Sequence, residues 1–168
     1  SARAANFTGA SLYGADLRKA DFAGAVLARA DLGYTDLYRT KLNGADLSGA
    51  SLNYASGQWA NLQGADLSSA SLAGASLPWA NLLGADLSSA SLVNAKLSWA
   101  SLNAANLTNA NLTDADLKRA NLSGADLTGA TLTGATLTGA FASSATTWPT
   151  GFDPLAAGVI TWTPTPPR

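Results

Sequence analysis

Read in blocks of five from Ala5, the chain repeats one hydrophobic pattern without a slip: ANFTG, ASLYG, ADLRK, ADFAG, and so on to ATLTG at residues 135–139. Across these 27 units the first position is Ala except at Thr35 and Thr40, and the third is Leu or Phe except at Gly57. A period of five matches neither a helix nor a plain strand, so each unit predicts a short extended piece followed by a turn. The first and third residues of a unit, two apart in an extended piece, point to the same side. That side is apolar, with Leu inward and Ala small enough for the spaces between. One turn of such a chain cannot bury its own Leu layer, so its stability has to come from stacking turn upon turn.

A second period lies over the first. Trp59, Trp79 and Trp99 recur every twenty residues, which is four units. The same spacing sorts the other outward residues into columns. One column runs Lys19, Arg39, the three tryptophans, Arg119, Gly139; the next runs Gly24, Gly44, Gly64, Gly84, Ala104, Gly124. A third holds Asp46, Asp66, Asp86, Asn106 and Asp126. Four units per turn makes the tryptophans vertical neighbours, roughly 4.8 Å apart along an axis. The Gly column predicts type II turns with positive φ. Bulky residues in the Trp column predict a different turn on that side. Each Asp of the third column is expected to cap its own turn by accepting a backbone N–H.

The units resemble the A-(D/N)-L-x-x signature of the pentapeptide-repeat family, and the resemblance covers residues 5–139, about four-fifths of the chain. It implies an all-β fold, a right-handed quadrilateral β-helix (a solenoid), here with about seven 20-residue coils and a C-terminal cap. The family's best-known activity is DNA mimicry, in proteins that protect DNA gyrase from quinolone drugs with a strongly acidic rod and C-terminal dimer elements. This chain departs from that pattern. Its early coils carry Arg18, Lys19, Arg29, Arg39 and Lys41 among the acids, and no long dimerising helix follows the repeats. Gyrase binding is therefore the alternative reading rather than the first.

After Gly139 the period dissolves, dividing the chain into a repeat rod (1–140), a cap (141–160) and an extended tail (161–168). The segment TTWPTGFDPLAAGVI resembles the closing sequence of cyanobacterial-type members of the family. Phe141, Trp148, Phe152, Leu155, Val159 and Ile160 are expected to cover the last Leu layer. Asp153-Pro154 predicts the start of a single helical turn over Leu155 to Ala157, and Gly158 its end. No comparable cap precedes Ala5, so the first coil is expected to present an open edge. This suggests a fragment of a longer protein.

Composition narrows the chemistry. All eleven acidic residues are Asp, ten Lys and Arg nearly balance them, and the net charge is −1. Such a balance points to neither nucleic acid nor a membrane surface as partner. The absence of Cys and His removes zinc, haem and His-assisted nucleophiles, and no other acid–base pair or phosphate loop is recognisable, so no enzyme activity, cofactor or metal is expected. No apolar run is long enough for membrane insertion by this segment, and no signal pattern is present, which leaves the compartment unknown and cytoplasmic by default.

The expected role is a non-catalytic structural or protein-interaction module, with an unknown protein partner or self-association. The candidate surface is Trp59, Trp79 and Trp99, with Tyr54 one face away and Arg39 and Arg119 stacked as cations at the column's ends. For the column itself the first reading is a self-stabilising indole ladder, with a partner or self-association surface second and a site for a flat sugar ring third. Gly57 is the one unit without an inward side chain. A local backbone distortion is expected there, letting Trp59 pack closer than the other two and become the most buried of the three.

Overall fold

A computed structural model of the chain describes residues 1–162, with Trp162 described by its backbone alone. Parallel bridges join the second residue of each unit to its counterpart twenty residues on, from Asn6↔Val26 through Asn121↔Phe141. Four such columns per turn make an all-β solenoid whose extended pieces are too short to count as strands.

The hydrogen bonds explain the five-residue motif. In a typical unit the third N–H donates up to the next coil (Leu47 to the Asp66 carbonyl, 2.7 Å), as does the fifth (Gly49 to Ser68, 2.9 Å). The second donates down to the previous coil (Asp46 to Ala25, 2.9 Å), and the following Ala closes a turn on Leu (Ala50 to Leu47, 3.0 Å). Only the fourth N–H has no backbone partner. Where the second residue is Asp or Asn, its side-chain oxygen accepts that N–H, as Asp46, Asp66 and Asp86 do at 2.9 Å from Ser48, Ser68 and Ser88. The carboxylates thus cap their own turns as expected. Glu, one methylene longer, would overshoot this Asx geometry.

The interior is a stack of Leu layers with Ala between them; Leu27 to Leu127 are buried wherever the motif supplies them. Phe7, Leu12 and Leu17 of the first coil are only half-buried, with Phe7 edge-on to Phe22 at 5.4 Å. The two units that begin with Thr keep their hydroxyls satisfied inside. Thr35 donates to the Leu32 carbonyl and Thr40 to that of Leu17, both at 2.7 Å.

Two expectations about the backbone are corrected. The turn does not change on the Trp side: Trp59, Trp79 and Trp99 have φ of 63°, 61° and 63°, like Gly44, Gly64 and Gly84 at 64°, 62° and 63°. The ladder on both sides dictates the corner, and the residue there accepts it. Gly57 does not distort the backbone either. Its N–H reaches the Ser76 carbonyl at 2.7 Å and its carbonyl accepts from Ala60 at 3.0 Å, as in its neighbours. The vacancy is filled from above: a Cβ placed on Gly57 would lie 2.6 Å from Leu77 Cδ2, so the Leu77 side chain leans into it.

Beyond Gly139 the coil continues with one extra residue. Asn121 pairs with Phe141 at the usual twenty, but Asp126 pairs with Thr147 at twenty-one. Thr146, 8% exposed, repairs the slip: its hydroxyl accepts the N–H groups of Gly124 and Ser143 (3.1 Å each) and donates to Leu122 (2.9 Å). Strand β1 (Phe141–Ser143) then pairs in parallel with β2 (Ile160–Trp162). Asp153 caps the intervening turn through Leu155 and Ala156 (3.0 and 3.1 Å), and the Ala157 N–H returns to its carbonyl at 3.1 Å.

Val159 is buried, and Trp148 and Phe152 pack against the core, their rings stacked at 5.2 Å. Phe141, Leu155 and Ile160 do not cover it, being 44%, 67% and 50% exposed. Phe141 and Ile160 are paired residues at outward positions, and Leu155 sits on the outside of the turn. Thr161 and Trp162, expected in the extended tail, belong instead to β2; the rest of that expected tail, residues 163–168, lies outside the described residues.

Leu77 fills two places in the core. Leu77→Ala is expected to be more destabilising than Leu82→Ala, with losses at the upper end of the roughly 2.7–5 kcal/mol seen when a buried Leu becomes Ala. Urea unfolding of the two variants checks this, and equal losses would show that the Gly57 vacancy is relieved in some other way.

Three carboxylates held by hydrogen bonds, two in the first coils and one near the last, predict an acid limit. A side-chain hydrogen bond from Arg18 holds Asp16 down at about 2, the Ala23 backbone N–H lowers Asp21, and the hydroxyls of Thr128 and Thr147 lower Asp126. These groups ionise more easily folded than unfolded, so their contribution is complete above the ordinary Asp range and disappears as pH falls towards 2. The melting temperature should be level from about pH 5 to 8 and decline below about pH 4. A profile unchanged down to pH 2 would contradict these assignments.

Candidate interaction surface

The positive-φ corner aims its side chain away from the core, and three successive coils place an indole there. Trp59 and Trp79 stack with centroids 5.2 Å apart and planes 14° from parallel; for Trp79 and Trp99 the values are 4.7 Å and 8°. The Arg119 guanidinium covers the far face of Trp99 at 4.8 Å. Arg39 does not mirror it: its guanidinium lies over the Tyr38 ring at 5.2 Å. Tyr38 is adjacent in sequence and offers a nearer π face. Trp59 is consequently the most exposed of the three, at 46% against 39% and 40%, the reverse of the expectation built on Gly57.

A second aromatic column stands on the neighbouring corner. Tyr34 and Tyr54 stack at 5.0 Å, and Tyr13 leans on Tyr34 at 5.4 Å. The Tyr54 ring ends the column over Gly74, where a Cβ would approach it to 2.6 Å. Of these three, sequence reasoning singled out Tyr54 alone. The spacing of twenty between Tyr34 and Tyr54 was the available signal, whereas Tyr13 sits at a fourth position and breaks the register. Between the two columns the face carries Ser56, Gln58, Ser76, Pro78 and Ser98, and Leu83 is exposed on the far side of Trp79.

Charge is distributed unevenly around this corner. Between Leu47 and Ala95 the charged residues are Asp66 and Asp86, and both lie two units away, on the opposite face. Around the two ends of the indole column stand Arg39, Lys41, Lys96, Lys118 and Arg119, with Asp21, Asp36, Asp114 and Asp116 as the nearby acids. Asp36 faces Arg18 at 3.6 Å and Asp116 faces Lys118 at 3.7 Å, while Arg39, Lys41, Lys96 and Arg119 have no ion pair among the described residues. A shallow recess of about 350 Å³ opens at the upper end, lined by Ser98, Trp99, Lys118, Arg119 and Thr138. Among the described residues no cluster of acidic side chains could hold a metal ion, and no helix is long and apolar enough to cross a membrane.

A family model for pentapeptide repeats matches in 8 copies over residues 5–44, 35–68, 60–98, 70–109 and 100–139. The chain is similar to the crystal structure of HetL, a pentapeptide repeat protein involved in heterocyst differentiation regulation from the cyanobacterium Nostoc sp. strain PCC 7120. That match has 39% identity and a TM-score of 0.54, over 82% of this chain and 72% of HetL. A second Nostoc PCC 7120 pentapeptide repeat protein is 33% identical, with a TM-score of 0.54, over 74% of this chain and 86% of its own. The plasmid-mediated fluoroquinolone resistance protein QnrB1 shares the fold at 20% identity and a TM-score of 0.56, over 85% of this chain and 74% of QnrB1. Among curated proteins none matches. The unbroken motif, the twenty-residue bridges and the matches to the family model and to HetL lead to one assignment: the chain belongs to the pentapeptide-repeat family.

Proposed function

We propose that this chain is a rigid, non-catalytic module that presents its tryptophan corner to a partner protein or to a second copy of itself. We read the solenoid as a right-handed square coil of about seven turns, a rod about 32 Å long. One observation carries the reading: a continuous, half-exposed stack of three indoles in a belt almost without charge. Half-exposed tryptophan is the side chain most enriched where binding energy concentrates.

The alternative, gyrase binding by DNA mimicry, has little to support it. The Asp column is one carboxylate wide, Asn106 interrupts it, and each carboxylate has an oxygen engaged by its own turn. Likeness to QnrB1 extends to the fold.

A photo-crosslinking residue at Gln58, beside Trp59, tests the platform against the same residue at Ser88 on the opposite face. In native cells the first is expected to give a discrete crosslinked species and the second none. The species should vanish when Trp59, Trp79 and Trp99 are all replaced by Ala. If that variant keeps a native β spectrum and the crosslink persists, the platform reading is wrong.

The stack also contributes to stability, and its share can be separated from turn strain. Trp79→Gly and Trp79→Ala lose the same two ring partners, but only Gly relieves the positive φ. Trp79→Gly should therefore be the more stable variant by about 1 kcal/mol in urea unfolding. Equal stabilities would show that this corner holds no strain.

A further inference from the structure

The way the indoles are stacked restricts what can bind them. Both faces of Trp79 are taken by Trp59 and Trp99, and the outer face of Trp99 is taken by Arg119. The lower face of Trp59 points down the column towards Arg39, whose charge would repel an incoming cation. A partner's arginine or a flat sugar ring, both of which need ring faces, finds little here. What the column offers outward is ring edges. An aromatic edge is the electropositive part of the ring's quadrupole, and each indole adds an N–H donor and no acceptor. The exposed strip is therefore a row of weakly positive, donor-bearing apolar edges.

Cations frame that strip at both ends. Arg39 and Lys41 lie below it, Arg119 lies above, and Lys96 lies on the Trp99 coil, none of the four ion-paired among the described residues, with Lys118 next to Arg119. The carboxylates on the neighbouring coils, Asp21, Asp36 and Asp116, already face Arg3, Arg18 and Lys118. On the opposite side of the rod the Asp46, Asp66, Asp86 column would repel a negatively charged partner and confine it to the tryptophan corner. The charge of the whole chain, −1, conceals this division.

Building on the platform reading, we propose that the corner recognises an acidic segment of a partner protein, apolar at its centre, laid along the column with carboxylates at each end. Arg39 and Arg119 are four coils apart, about 19 Å at the spacing of adjacent strands. An extended peptide covers that distance in about six residues, so the two acidic ends should be separated by five or six positions. The central residues would lie against the indole edges and Pro78, and the upper carboxylate would meet Arg119 at the mouth of the recess, where Ser98 and Lys118 already hold Asp116.

Selection of a random twelve-residue peptide library, displayed on phage, against the intact chain tests the proposal without choosing the ligand beforehand. Retained peptides are expected to carry Asp or Glu about six positions apart around an apolar centre. Synthetic copies should bind at least tenfold more weakly to Arg39→Glu/Arg119→Glu, and tenfold more weakly at 0.5 M salt. Peptides that need the tryptophans but are basic, neutral or indifferent to both tests would overturn the acidic partner and leave the platform standing. Peptides that bind equally well to the folded Trp59→Ala/Trp79→Ala/Trp99→Ala variant would overturn both, as would a selection that retains nothing.

Discussion

The hydrogen-bond register between coils is the constraint on which everything else in this molecule rests. Each five-residue unit must connect to the coil above and the coil below, and must do so while turning a corner. Three of its N–H groups serve the ladders and a fourth closes the turn. That leaves one donor per unit in need of a side chain. The Asp and Asn residues found at the second position in 15 of the 27 units meet that donor, being short enough to bend back to an N–H two residues on. The acidic composition of the chain therefore has a structural origin: carboxylates spent on turns are poor material for a metal site or a continuous negative stripe.

The same constraint leaves the corners open to variation. A fifth-position residue is held at positive φ by ladders on both sides, and Gly, Lys, Arg, Tyr, Trp, Ser, Asn and Asp all accept the conformation. For the non-glycine residues the strain is borne by a backbone that has no alternative. The corner side chain, like that of the fourth position, then has no role in the core or the ladder. Columns of like residues can build there, and chemistry specific to this chain is concentrated on them. Coil spacing also suits rings: adjacent strands lie about 4.8 Å apart, within the range that offset aromatic stacking prefers. The centroid separations of 5.2 and 4.7 Å along the Trp column reflect that match.

What was legible in the sequence is what repeats. The unit, the twenty-residue turn, the columns and the capping by Asp46, Asp66 and Asp86 all follow from periodicity and the reach of short side chains. The departures were not legible, because each is decided by contacts between coils. Gly57 reads as a hole in one dimension, yet Leu77 fills it from the coil above. Arg39 and Arg119 occupy equivalent positions, but Tyr38 competes for one and nothing comparable competes for the other. The cap failed for another reason. A single inserted residue ends the register, and without the register no rule told Phe141 and Ile160 outside from Val159 inside.

Thr146 shows how closely the ends of such a rod are controlled. An insertion in the final coil displaces the carbonyl that the Gly124 N–H would have met, and an unmet buried donor destabilises by about 1–3 kcal/mol. The hydroxyl at Thr146 takes that donor's place in the ladder, accepts from Ser143 as well, and returns its own proton to Leu122. One side chain thus replaces a lost backbone contact on three sides, and the chain can leave the repeat without leaving a buried polar group unpaired. The same logic governs the tryptophan corner. The indoles stack on one another because stacking uses faces that water would otherwise cover poorly, and it leaves their edges outward. A ladder that stabilises the rod and a surface that meets a partner are therefore the same column, viewed along its axis and across it.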